Sequence, residues 1–207
     1  MRGDLPVHVE SRPISIIYKL LLLGAVVYGL YASLFPGGLP LLRYFTIQSN
    51  ILVALATAYF LFFPRFTRFR MIVRGAVLIS ILVTGVVFHL FLVPRMPEYF
   101  GSGVDLVNHL THTVAPLGFL LDYLLFDRKG LIRLSDIPFW TIYPLLYWAV
   151  TIIQGVFTGF YPYFFMDVSK IGYGGALLWL LALVVFFLLV ASLPIYLLDR
   201  LLGRKKR

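Results

Sequence analysis

Phe45-Thr46-Ile47-Gln48-Ser49-Asn50 opens the stretch FTIQSNILVALATAYFLFF, Phe45–Phe63, which carries no charged side chain. Its apolar residues run continuously and do not alternate, which excludes a strand of a membrane β-barrel. At 1.5 Å per residue, about 20 such residues cross the hydrocarbon core of a bilayer as a helix. Five more runs read the same way: Ile16–Phe35, Met71–Val93, Asp105–Phe126, Phe139–Phe160 and Gly175–Leu198. The expected fold is therefore all-α, a polytopic membrane protein of six transmembrane helices.

Composition agrees. Hydrophobic residues make up 60% of the 207 and charged ones 13%, and the mean hydropathy is +0.91. A soluble domain carries about a quarter charged residues. Proline and glycine punctuate the runs at Pro36-Gly37-Gly38, Pro64, Pro94, Pro97, Gly101, Gly103 and Gly172 to Gly175. No linker is long enough to divide the chain, so residues 1–207 are read as a single domain. The first run is too long for a cleaved signal peptide and is kept as a span. With no cysteine, disulfides, thiolate catalysis and cysteine-held metals are excluded.

The net charge of +9 brings nucleic acid or acidic lipid to mind, but the placement of the cations argues for topology instead. Arg2, Arg12 and Lys19 precede or open the first span. Arg65, Arg68, Arg70 and Arg74 join the second to the third. Arg128, Lys129 and Arg133 join the fourth to the fifth, and Arg200 with Arg204–Arg207 follows the sixth. Only Arg43, Arg95 and Lys170 fall on the other side. The positive-inside rule then puts both termini in the cytoplasm. The basic tail reads as an anchor at a negative leaflet, and no nucleic-acid partner is expected.

In that orientation the polar residues of the spans collect in the outer half. Thr46, Ser49 and Asn50 share one helical face at i, i+3 and i+4, and Asp105, His109, His112 and Pro116 form a stripe on the fourth span. His89, Gln154 and Thr158 approach the same depth, while the inner halves hold mostly Leu, Val, Ala and Phe, with Asp122 an exception. Polar groups at bilayer depth are costly and normally face a bundle interior or cavity. Taken singly, each has a plainer role. Thr46 serves as a helix cap, His112 as a buried hydrogen-bonding group, Asn50 and Gln48 as interhelical glue, and Arg43 as a snorkelling anchor.

Three motifs carry a resemblance. They are Arg43-Tyr44-Phe45-Thr46, then Asn108-His109-Leu110-Thr111-His112-Thr113 with Pro116, then Thr158-Gly159-Phe160-Tyr161-Pro162-Tyr163 ahead of Asp167 and Ile171-Gly172. Together they resemble the androgen-induced protein 1-like family of integral membrane threonine hydrolases, in its prokaryotic branch. The resemblance implies cleavage of fatty acid esters of hydroxy fatty acids. It also implies Thr46 as nucleophile and His112 as catalytic histidine. Gln48-Ser49-Asn50, the basic tail and the short loops depart from the animal members.

The expected activity is lipid ester hydrolysis without a cofactor, on a substrate whose acyl chain lies in a membrane-accessible pocket. The site would lie in the outer half of a prokaryotic inner membrane. Asn50, Asn108 and His109 are the supporting or oxyanion candidates, with Asn108 also placed to orient His112. Arg43 is the candidate for a substrate carboxylate. Two alternatives use the same residues: a zinc-dependent hydrolase ligated by His89, His109 and His112, or a non-enzymatic small transporter or lipid-binding protein.

Overall fold

A computed structural model describes residues 12–95 and 105–203. Arg2, Pro97, Gly101, Gly103 and the tail Arg204–Arg207 lie outside them. All regular structure among the described residues is helical. The helices are α1 (Arg12–Gly37), α2 (Phe45–Phe62), α3 (Arg68–Val87, prolonged by a π-turn at Phe88–Leu92), α4 (residues 106–126), α5 (Ile137–Thr158) and α6 (Val168–Gly203). Five of them, α1, α2, α3, α5 and α6, are long and apolar enough to cross a membrane. The stretch 106–126 is helical too, but it divides into Leu106–His109, a π-turn at Leu110–Val114, and Ala115–Phe126.

The helix ends follow from local chemistry. Thr67 caps α3 by accepting from the Arg70 amide, and Asp105 caps α4 by accepting from the amides of Val107 and Asn108. Asp167 does the same for Ser169 at the start of α6. Gly159 closes α5 at φ 70°, a left-handed conformation that costs glycine little. The glycine-rich segment expected before the sixth span lies inside α6, where Gly172 kinks the helix at φ 69°.

Helix α3 is the axis of the bundle, packing against α2, α4, α5 and α6. Gly75 seats the Trp140 ring so closely that an added Cβ would lie 2.0 Å from it. Leu78, Ile79, Ile81, Phe119 and Tyr123 fill the centre, all fully buried. The outward faces of α1, α5 and α6 expose large apolar side chains such as Leu21, Phe157 and Leu178. Water would penalise such a surface; hydrocarbon does not.

Four of the cations that mark one side of the bundle in the sequence, Lys19, Arg70, Arg74 and Lys129, are buried inside it. Lys19 pairs with Asp122 at 2.7 Å, and Arg74 bridges Asp122 at 2.5 Å and Asp127 at 2.6 Å. Arg70 reaches Asp127 at 3.2 Å, and the Lys129 ammonium donates to the carbonyls of Tyr123 and Asp127. Asp199 accepts from the Tyr123 hydroxyl at 2.8 Å and from the Ile132 amide at 3.0 Å. Arg68 pairs with Asp136 beside this cluster. Charges withdrawn from water persist only when paired and hydrogen-bonded, and these ones tie α1, α3, α4 and α6 together. Arg12, Arg65, Arg128, Arg133 and Arg200 remain exposed.

Candidate active site

At the end of the bundle opposite this ionic cluster, α2 and α4 bring Thr46 and His112 together. The Thr46 hydroxyl lies 3.2 Å from His112 Nε2. Thr46 is the second residue of α2; Tyr44 occupies the capping position and makes no side-chain cap bond, so the Thr46 hydroxyl is not spent as a cap. The Thr46 amide, one of the unpaired N–H groups of a helix start, lies 3.4 Å from the Tyr163 hydroxyl and donates to it.

The ring of His112 is fixed on its other side. Nδ1 lies 3.1 Å from the Asn108 carbonyl and 3.0 Å from the Thr111 hydroxyl. A carbonyl only accepts, so Nδ1 bears the hydrogen and donates to it, and the Nε2 lone pair faces Thr46. The Thr111 hydroxyl donates to the Val107 carbonyl at 2.9 Å and keeps a lone pair toward Nδ1. Phe88 stacks on the imidazole with ring centres 3.8 Å apart. The expected orienting role of Asn108 thus falls to its backbone, because its side-chain amide donates to Asp105 at 2.6 Å.

Both ring partners owe their place to π-turns, which are frequent at functional sites. Phe88 begins the one in α3, and His112 is the middle residue of the one in α4. Gly85 lets α3 approach this turn: an added Cβ would stand 2.9 Å from the His112 carbonyl oxygen. Backbone at that distance has to move. Gly85→Ala is therefore expected to push α3 away from this turn and to destabilise the bundle by about 1–3 kcal/mol, the scale of overpacking a close contact. The thermal unfolding midpoint measures it, and Gly24→Ala, whose added Cβ would meet nothing within 4 Å, supplies the control.

The π-turn also corrects the expected stripe. The extra residue in that turn rotates His109 away from His112, and His109 is exposed. His89 is exposed as well and lies 3.0 Å from the Thr113 hydroxyl. The three histidines do not converge, and among the described residues no group of three histidines or carboxylates is placed to hold a metal ion. Asn50 is fully buried and donates both amide hydrogens, to the carbonyls of Thr46 at 2.9 Å and Thr111 at 3.0 Å. It locks α2 to α4 and has no hydrogen left for an oxyanion. Ser49 shares a 2.7 Å hydrogen bond with Thr84 of α3.

A narrow cavity of about 60 Å³ touches Thr46, walled by Phe45, Thr84, Pro144, Tyr147, Tyr163 and Phe187 among others. His112 is not part of its wall and contacts Thr46 from outside it. No protein family, curated protein or solved structure matches this chain. The family resemblance therefore rests on the three sequence motifs alone.

Tyr163 escaped the sequence reading, although it closes the third motif. Its ring is stacked on Phe165 and edged by Tyr44, which fixes the hydroxyl beside Thr46. Burial pushes this phenol above its ordinary range, so it stays a protonated donor at neutral pH. By contrast, the Tyr147 hydroxyl is already committed to the Arg43 carbonyl at 2.8 Å.

Arg43 does not reach Thr46. It lines a separate groove of about 410 Å³ with Gln48, Tyr143, Tyr147, Thr151 and Gln154, and its guanidinium lies over Phe160. Thr158 and Gln154 border a smaller recess of about 120 Å³ beside Arg43. Tyr147 is common to the groove and the Thr46 cavity and divides them.

Proposed function

We propose that this chain is a six-span membrane hydrolase of lipid esters, with both termini cytoplasmic and Thr46 in the outer half of a prokaryotic inner membrane. The observation that carries the reading is the Thr46 hydroxyl 3.2 Å from a histidine nitrogen whose tautomer is set by the Asn108 carbonyl. The cavity beside Thr46 is lined mainly by apolar side chains, which suits an acyl chain.

In the proposed reaction, His112 Nε2 takes the Thr46 proton as the oxygen attacks the ester carbonyl. An alkoxide is too basic to exist free at neutral pH, so proton removal accompanies attack. The Tyr163 hydroxyl accepts the Thr46 amide hydrogen and donates its own proton toward the developing oxyanion. His112 then returns the proton to the departing alcohol, leaving an acyl-threonine. Water gives a proton to His112 as it attacks this ester, and the acid leaves while Thr46 recovers its hydrogen. In a hydroxy fatty acid substrate the departing alcohol bears a carboxylate, and Arg43 receives it in the neighbouring groove across Tyr147.

The test is covalent capture. Purified protein treated with a fluorophosphonate or β-lactone probe is expected to carry one adduct, mapped to Thr46 by peptide mass spectrometry. Tyr163→Phe is expected to lower kcat about 100-fold, the scale of losing one oxyanion donor, with little change in KM. An unlabelled Thr46 in a protein that moves lipid or solute into liposomes would replace this reading with the transporter.

A further inference from the structure

The ionic end of the bundle contains a recess that the proposed hydrolysis does not use. It has a volume of about 150 Å³ and lies between the start of α1, the end of α2, the start of α3 and the end of α4. Arg12, Ser15, Lys19 and Arg70 border it together with the aromatic rings of Phe66 and Phe126. Two of these cations rest on rings: Lys19 lies 4.7 Å from the centre of Phe126, and Arg70 lies 4.7 Å from that of Phe66.

The charge in and behind its wall is unbalanced. Among the described residues, Lys19, Arg70 and Arg74 have ion pairs with only two carboxylates, Asp122 and Asp127, while the buried Lys129 donates to carbonyl oxygens. Arg12 adds a further positive charge at the exposed mouth. Arg70 is 3% exposed, yet its Nε–H has no hydrogen-bond partner. Buried donors of this kind ordinarily find an acceptor. Ser15 accepts from the Lys19 ammonium at 2.8 Å, which leaves its own hydroxyl hydrogen to give. Beside the mouth, Ile16 and Leu20 on α1 are exposed and apolar, a track for a hydrocarbon tail.

We propose that this recess binds a phosphate-group anion. Arg12 and Ser15 at the mouth offer guanidinium and hydroxyl hydrogens to its oxygens, and the positive charges of Lys19 and Arg70 stand behind them in the wall. Charge-assisted bonds of this kind are the strong ones, and an arginine can engage two phosphate oxygens at once. The group belongs either to a phospholipid head, with its chains along Ile16 and Leu20, or to free phosphate. This site is independent of the Thr46 chemistry at the other end.

The experiment is native mass spectrometry of the full chain in neutral detergent, titrated with dioctanoyl phosphatidylglycerol, dioctanoylglycerol and inorganic phosphate. One saturable phosphatidylglycerol adduct is expected, with none from dioctanoylglycerol. Arg12→Gln should weaken it about tenfold, the scale of one charged contact. Arg65→Gln, a neighbouring exposed cation outside the recess, should leave it unchanged. Competition by inorganic phosphate at equal concentration assigns the site to the free anion; its failure to compete assigns it to the lipid head. Arg12 is exposed at the helix start, so its replacement leaves the fold intact, which the unfolding midpoint verifies. Equal binding of dioctanoylglycerol, or equal loss in the Arg12 and Arg65 variants, overturns the proposal.

Discussion

Thr46→Ala is expected to abolish the proposed ester hydrolysis, with kcat falling by about 10³-fold or more, as loss of an activated nucleophile does elsewhere. The fold should survive, because the interactions that hold this part of α2 do not use the Thr46 hydroxyl. Asn50 bonds to the Thr46 carbonyl, Ser49 bonds to Thr84, and the Thr46 amide bonds to Tyr163. The check is hydrolysis of a fatty acid ester of a hydroxy fatty acid by purified protein, alongside the thermal unfolding midpoint in the same detergent. His112→Ala should fall to a similar floor, since two members of one proton-transfer unit do not contribute additively. Turnover by Thr46→Ala at the wild-type rate would end the assignment of the nucleophile.

Arg74→Met is expected to have the largest effect on stability, about 3–5 kcal/mol, the scale of removing one partner from a buried ion pair. Arg74 is fully buried and bridges two carboxylates, with Phe60 and Phe119 stacked over its guanidinium at 4.3 Å and 4.4 Å. Its loss leaves Asp122 to Lys19 alone and Asp127 to the longer contact with Arg70. Arg74→Lys keeps the charge but offers one ammonium where a fork had spanned two acceptors, so it should fall between wild type and Met. Lys170→Gln is the internal comparison. That side chain is 79% exposed, and an ion pair open to solvent, here with Asp167, contributes only about 0–1 kcal/mol. Thermal unfolding in detergent measures all three, and an unchanged midpoint for Arg74→Met would remove the cluster from the account of what holds the bundle.

Much of this architecture was legible because hydrophobic length and helix punctuation are local signals. Phe45–Phe63 was expected and Phe45–Phe62 is helical, while Pro64 and the Thr67 cap mark the junction to α3. The approach of Thr46 to His112 agrees with the expectation that their helices bring them together. What escaped was long-range or sub-turn detail. Lys19 and Asp122 are distant in sequence, and a lysine at a span end looks the same whether it faces water or a carboxylate. Nothing in Leu110–Val114 announces an additional residue in the turn, so His109 was placed on the wrong face. Tyr163 is one of 13 tyrosines, and no spacing singles it out. Arg43 sits three positions before Thr46, but the chain between them bends from the 3₁₀ turn Leu39–Arg43 into α2, so the two side chains open into different compartments.

The acceptor that steers His112 is a peptide oxygen, and this has a consequence for genetics. Where an aspartate performs that duty, a single codon change deletes it; a main-chain oxygen is present whatever residue occupies position 108. A saturation scan of this segment would therefore register the His112 side chain and miss the oxygen that steers it. Only a change that reshapes the backbone itself, such as replacing that peptide by an ester through chemical synthesis to weaken its oxygen as an acceptor, would bring its contribution into view.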